Sequence, residues 1–186
     1  MNSLYKSPKS QGGASLIEVL VAILLLSFGM LALGAMLSFA VQAPKMSAYR
    51  ATATNLASGH VERIRANPEG FGANAYTSAL SYDGTTNPIA LADCSYPACT
   101  ATTLAAMDNA ATNHAARIEL PAGGMIMKCD TPTTCTSASY GNLWIVWQEP
   151  STVAVLGASS DNCPTEVTGA YTSPAPRCLY VRFKVQ

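Results

Sequence analysis

A long apolar run near the N-terminus dominates the pattern of hydrophobic and polar positions in this chain. It extends over 23 residues, from Val19 to Val41, and contains no charged side chain. As an α-helix rising about 1.5 Å per residue it would measure about 34 Å, which exceeds the roughly 30 Å of a bilayer's hydrocarbon core. The pattern therefore predicts a membrane-spanning helix.

Beyond Val41 the apolar residues keep a helical spacing, but they occupy only one stripe along the helix. They recur at steps of three and four residues, and the helix is expected to end before Pro68 because the residue preceding a proline avoids the α conformation. We expect Pro44 to bend or locally open the helix. His60 is expected to have a structural, hydrogen-bonded role on this stripe. The stripe consists of Met46, Tyr49, Ala53, Leu56, His60 or Val61, and Ile64.

A second, shorter helix is predicted over residues 100–116, after a connecting segment over residues 71–98 that contains many turn-forming residues. Thr102 or Thr103 is a candidate N-terminal cap, because a threonine hydroxyl can accept a hydrogen bond from a free backbone N–H of the first turn. The periodicity predicts that the buried face of this helix carries Leu104, Met107, Ala111 and Ile118.

Strand patterns fill the C-terminal part. Residues 117–120 are expected to begin a sheet, and a turn over residues 121–124 leads to a strand over Met125–Cys129. Leu143–Trp147 is β-branched and aromatic and is predicted to be the central strand, with residues 153–156 as a weaker hairpin partner. In the last strand, Leu179, Val181, Phe183 and Val185 alternate with polar residues, which predicts one buried face.

All six cysteines follow the apolar run. An even number of cysteines confined to this part indicates disulfides and an oxidising compartment. Six cysteines allow 15 pairings, of which the pairing of near neighbours is the simplest because it closes the smallest loops. A metal site is disfavoured, since no C-x-x-C motif occurs. The simplest pairs are Cys94 with Cys99, Cys129 with Cys135, and Cys163 with Cys178.

Charge and motifs limit the function classes. The formal net charge is zero, so no basic surface for nucleic acid is implied. The sequence contains no G-x-S-x-G, H-E-x-x-H, P-loop or G-x-G-x-x-G motif, and His60 and His114 lie far apart. No enzyme activity, cofactor or metal ion is therefore expected.

One acidic residue, Glu18, interrupts the approach to the apolar run. A charge at the centre of a membrane costs about 2.5–3.5 kcal/mol on insertion scales, so this carboxylate is expected to have a partner. Cleavage between Gly13 and Ala14 would free an α-amino group four residues before Glu18, within one chain or in a bundle of helices. An ordinary signal peptide, ending near Ser38-Phe39-Ala40, is disfavoured because its apolar core spans only about 7–15 residues. An unprocessed membrane anchor is the other alternative.

A leader with Lys6 and Lys9, a glycine, and then Glu18 before an apolar helix resembles the class III signal of type IV pilins. The resemblance implies that a prepilin peptidase cuts after Gly13 and methylates Ala14, a position where most pilins have phenylalanine. Glu18 would then act in assembly. Residues 62–70, 104–108 and 120–124 are similar to PilV-type minor pilins, also called type IV pilus modification proteins.

This resemblance implies a pilin-like α+β fold, in which the long N-terminal helix packs on a C-terminal antiparallel sheet with disulfide-stapled loops. Residues 1–13 would be a cleaved leader, 14–41 a transmembrane and polymerisation helix, 42–66 its amphipathic half, and 67–186 a periplasmic head. The loop between Cys163 and Cys178 resembles the disulfide-bounded region of pilins.

The implied function is that of a minor pilin, single-pass in the bacterial inner membrane and then on the cell surface in the pilus. Its expected partners are the prepilin peptidase, the major pilin and other minor pilins. A minor pseudopilin of type II secretion is an alternative. A tip adhesin or DNA-capture subunit is another, as an added role.

Overall fold

The computed structural model describes residue 13 and residues 15–130, 134–149, 161–172 and 175–185. The chain divides into two compact units, Met1–Ala43 and Pro44–Gln186. The described part of the first unit consists of Gly13, Ser15 and the beginning of helix α1, Leu16–Ala66. The second unit contains the rest of α1 and every other element, and is called the head here.

The part of α1 in the head has one buried stripe. Its buried residues are spaced by three and four positions, which confirms the predicted amphipathic pattern. The helix continues through Pro44, whose missing N–H does not end it, and the bend or local opening expected there stays a prediction. The helix ends at Ala66, as predicted from Pro68. The buried residues are Ala53, Ala57, His60, Val61 and Ile64.

Asn67 organises the chain after α1. Its side-chain oxygen accepts a hydrogen bond from the Gly70 N–H at 3.1 Å and caps the short helix α2, Pro68–Gly72. Its amide nitrogen donates to the Ala101 carbonyl at 2.7 Å. Asn67 thus ties the end of α1 to the start of helix α3, Ala101–Glu119.

Helix α3 corrects three predictions. Its cap is Thr100, whose hydroxyl accepts from the Thr103 N–H at 3.2 Å, so neither Thr102 nor Thr103 is the cap residue. The helix extends to Glu119, so residues 117–120 do not begin the sheet. Of the four residues predicted on the buried face, Ile118 is 65% exposed and the other three are only partly buried. The buried positions are Ala105, Asp108, Thr112, Ala116 and Arg117.

The sheet has three antiparallel strands in the order β1 (Gly124–Cys129), β2 (Tyr140–Trp147) and β3 (Arg177–Lys184). The central position of β2 and the strands on both sides confirm the prediction. Ile145 lies opposite Met125 on one side and Leu179 on the other. The strand predicted over residues 153–156 lies outside the described residues, and both edges of β2 are already paired.

The sheet is packed on both faces. Leu143, Ile145 and Trp147 share a buried cluster with the α1 stripe. On the opposite face Val146 packs with Tyr82 and with residues of the 161–172 segment, which contains helix α4, Thr165–Ala170. Alternation along β2 therefore builds two small cores from one strand, and the predicted α+β fold is confirmed.

Residues 71–98 were predicted as a long connecting loop; Phe71 and Gly72 instead belong to α2, and the chain from residue 73 to 100 contains no helix or strand. It follows α3 in the opposite direction. Arg117 binds Asp83, His114 bonds to the Ile89 carbonyl at 2.6 Å, and Cys94 Sγ lies 4.0 Å from Met107 Sδ. The loop is therefore held along much of its length.

Candidate functional site

The start of α1 is the first candidate site, because it carries the predicted cleavage and assembly residues. Gly13 is exposed, and Ala14 lies outside the described residues. The Ser15 carbonyl accepts hydrogen bonds from the N–H groups of Glu18 and Val19, at 2.9 and 3.2 Å. Glu18 therefore lies in the first turn of α1, where the helix dipole favours a negative charge.

The apolar surface that follows Glu18 is exposed among the described residues. Among the described residues, α1 is the one helix long and apolar enough to cross a membrane, and none of its most apolar window is buried. Large side chains from Leu16 to Val41 are exposed all around it, for example Leu16 at 90% and Met36 at 73%. A helix that is apolar on all sides requires an apolar environment.

The few polar groups of this surface are satisfied locally. The Ser27 hydroxyl donates to the Ile23 carbonyl at 2.8 Å, one turn earlier. The Gln42 amide donates to the Ser38 hydroxyl at 3.2 Å. Unpaired polar groups are costly in an apolar medium, so these local bonds suit burial in lipid or among other helices.

A buried polar cluster joins α1 to α3 within the head. His60 Nδ1 and the Thr112 hydroxyl form a hydrogen bond of 2.8 Å, and Arg63 donates to the same hydroxyl at 3.3 Å. The Tyr76 hydroxyl donates to the Asp108 carboxylate at 2.6 Å. The Asn67 amide donates to the Tyr76 oxygen at 3.2 Å.

Burial controls the protonation of this cluster. It lowers the pKa of His60 from 6.5 to about 4, assisted by the Arg63 cation and opposed by an interaction with Asn109. Burial and the bond to Asp108 raise the pKa of Tyr76. A neutral histidine and a neutral tyrosine at pH 7 are suited to packing, which agrees with the structural role expected of His60.

A second buried group, Arg117, holds the loop against α3. Its guanidinium donates to the Gly123 and Ser81 carbonyls at 2.8 and 2.6 Å and to the Asp83 carboxylate at 2.7 Å. Burial raises the pKa of Asp83, but hydrogen bonds from Thr85 and Arg117 outweigh it and hold that pKa below its usual range. The periodicity of α3 gave no signal for this role.

The six cysteines form three disulfides in the head: Cys94–Cys99, Cys129–Cys135 and Cys163–Cys178. These are the near-neighbour pairs that were the simplest from sequence. No group of three or more His, Cys, Asp or Glu residues that could hold a metal ion occurs in the described part of the chain.

Two protein-family models match the chain. Residues 35–110 match the Tt1218-like family, described as type IV pilin Tt1218, and residues 8–34 match the prokaryotic N-terminal methylation motif. No curated protein and no solved structure matches. The two matches support a type IV pilin, a structural class of protein, and suggest membrane anchoring, prepilin peptidase processing and assembly with other pilins.

Proposed function

We propose that this chain is a minor pilin of a type IV pilus. Prepilin peptidase cuts it after Gly13 and methylates the new N-terminus at Ala14. The mature chain then joins a filament, or primes its assembly, through the first half of α1. The observation that carries the proposal is the exposed apolar surface from Leu16 to Val41, joined to a packed and disulfide-bonded head.

The proposal gives this surface two successive environments. Apolar surface transferred from water gains roughly 25 cal/mol per Å², so the helix first enters the inner membrane and then a bundle of like helices. Within the bundle Glu18 pairs with a freed α-amino group of its own or a neighbouring chain. A shift in register would leave the carboxylate unpaired in an apolar medium, so the pair also selects the correct neighbour.

The orientation follows from the head and the leader. Lys6 and Lys9 keep the leader in the cytoplasm. Disulfides form in oxidising compartments, so residues 67–186, which contain all six cysteines, lie in the periplasm and later on the cell surface. Residues 14–41 cross the membrane once, and residues 42–66 connect them to residues 67–186.

Mass spectrometry of the mature N-terminus tests the processing step. The proposal expects a chain that begins at Ala14 and carries a methyl group. A chain that begins at Val41 would mean ordinary secretion instead. Recovery of the protein in sheared surface filaments is expected, whereas recovery only from the periplasm would favour a type II secretion pseudopilin.

Substitution of Glu18 tests the assembly step. Glu18→Leu is expected to enter the membrane and to be cleaved, but its incorporation into filaments should fall at least about tenfold relative to the wild type. A loss of about 1.4 kcal/mol of pairing free energy is enough to give that factor. Glu62→Leu is the matched control, because Glu62 is an exposed glutamate of the same helix within the head. Normal incorporation of Glu18→Leu would contradict the proposal.

A further inference from the structure

The two edges of the sheet differ in what covers them. Along the outer edge of β1, Ser78 and Met127 exchange backbone hydrogen bonds of 3.1 and 3.4 Å. The Ser81 N–H donates to the Met125 carbonyl at 3.0 Å. The loop before α3 therefore closes this edge.

None of the described residues pairs with the outer edge of β3 from Cys178 to Lys184. From Cys178 to Lys184 the backbone bonds to β2, and the described residues offer it no other backbone partner. In an antiparallel strand about every second residue turns its N–H and C=O away from the paired neighbour. About half of these backbone groups therefore face outward without a backbone partner among the described residues.

β3 lacks two of the usual protections of an exposed edge, a bulge and a proline, although it carries a third, the charged side chains of Arg182 and Lys184. Its pairing with β2 advances one residue at a time over the whole strand, so it contains no bulge, and no proline occurs in it. Leu179 and Val181 are only partly buried although they lie against the core. Within the part of the chain that the structure describes, the outer backbone groups of β3 are therefore unpaired and its apolar side chains are only partly covered.

The side chains on the face of β3 opposite Leu179 and Val181 indicate the chemistry of a partner. The Arg182 guanidinium lies 4.3 Å from the centre of the Tyr140 ring, and its side chain is 52% exposed although it also binds Asp130. Lys184 is exposed, and no carboxylate pairs with it in the described part of the chain. An acidic residue beside these cations would be favourable.

We propose that an extended segment of a partner subunit completes the sheet by pairing with the outer edge of β3. Its apolar side chains continue the surface of Leu179 and Val181, and its alternate, acidic side chains lie beside Arg182 and Lys184. Self-pairing of two β3 strands is disfavoured, because it would bring four cations onto one face. This inference rests on the proposed function for the identity of the partner as a pilus subunit.

Hydrogen exchange of the full-length chain in detergent micelles tests the edge. Alternate amides from Cys178 to Lys184 are expected to exchange rapidly, and their neighbours bonded to β2 slowly. Uniform protection at low protein concentration would mean that the chain covers its own edge. Protection that grows with protein concentration would mean self-pairing. Either result would overturn the inference.

Two synthetic peptides test the occupant: one of alternating valine and glutamate, and one of alternating valine and lysine. At about ten times its Kd, the glutamate peptide is expected to slow the outward amides about tenfold. Lys184→Glu is expected to abolish this effect, and Lys45→Glu, the matched lysine control on α1, to preserve it. Equal binding of both peptides, or of neither, would overturn the inference.

The peptide assay is independent of filament incorporation. If filament incorporation depends on Glu18 but the glutamate peptide does not bind, only the proposed strand addition is contradicted. If the glutamate peptide binds but Glu18→Leu is incorporated normally into filaments, only the proposed assembly function is contradicted.

Discussion

The two halves of α1 use apolar residues in opposite ways. From Leu16 to Val41 the helix is apolar on all sides, and its side chains are exposed. From Pro44 to Ala66 it is apolar along one stripe, and that stripe is buried in the head. One uninterrupted helix therefore carries two kinds of surface.

The difference shows how a sequence divides apolar burial between folding and association. A stripe is satisfied by one neighbouring layer, which the chain itself supplies as a sheet and α3. A helix that is apolar all around needs several neighbours, and the described residues supply none. The first half should therefore contribute to association and the second half to stability.

The largest expected effect separates the halves with one substitution made twice. Ile64→Ala removes a side chain that is 0% exposed and should lower the free energy of unfolding of the head by about 2–5 kcal/mol. Ile23→Ala removes the same atoms from a residue that is 59% exposed. It should change the free energy of unfolding of the head by no more than about 0.5 kcal/mol from the wild type. Urea unfolding of the full chain in micelles measures both, and similar losses would erase the distinction.

A nearly equal effect is expected from pH, acting on His60 in the second half. The pKa of His60 is 6.5 when unfolded and about 4 when folded, so the unfolded chain binds more protons between these values. The free energy of unfolding should therefore be greatest above pH 6.5. It should fall by about 3 kcal/mol, from this group alone, as the pH drops to about 4.

Urea unfolding at several pH values measures this dependence. Other carboxylates also titrate near pH 4, so the comparison is between the wild type and His60→Gln. The free energy of unfolding of the variant should be lower than that of the wild type at pH 6.5, and it should change less between pH 4 and 6.5. An unchanged slope in His60→Gln would show that His60 is not the group that titrates.

A smaller effect is expected from the buried hydrogen bond between α1 and α3, compared with a hydrogen bond on the exposed face of α1. Thr112→Val removes the hydroxyl bonded to His60 without changing its size and should cost about 1–2 kcal/mol. Thr54→Val is the control, because the Thr54 hydroxyl donates to the Arg50 carbonyl on the exposed face. Equal losses in the two variants would indicate helix propensity as the cause.

The smallest effect belongs to the exposed side of the second half. Glu62 and Arg65 form an ion pair of 2.7 Å, with side chains 68% and 47% exposed. Such surface pairs contribute about 0.2–0.5 kcal/mol, so Glu62→Gln should change the unfolding midpoint hardly at all, and less so in high salt. A loss above about 1 kcal/mol would mean that this face also packs against something.

The sequence predicted the parts of the molecule that depend on local patterns. The run to Val41, the end of α1 before Pro68 and the positions of the three strands follow from spacing alone. Gly13 and Glu18 were identified from their distance along the chain, and that assignment stays a prediction. These features require no knowledge of what lies opposite them.

The buried face of α3 could not be predicted in the same way. Leu104 and Ile118 looked like core residues, but Asp108 and Thr112 are buried because Tyr76 and His60 reach them from other parts of the chain. The buried face of α3 is therefore determined by polar partners from other elements, whereas hydrophobic periodicity takes only apolar residues into account. The same holds for Arg117, whose carbonyl partners belong to loops.

The disulfides have a consequence for how the head matures. Each bond joins two cysteines that are consecutive along the chain. A polypeptide that emerges into an oxidising compartment from its N-terminal side therefore presents each cysteine's correct partner before any other. Oxidation in order of emergence gives the native set directly, so this head needs an oxidant but no isomerase to reshuffle wrong pairs.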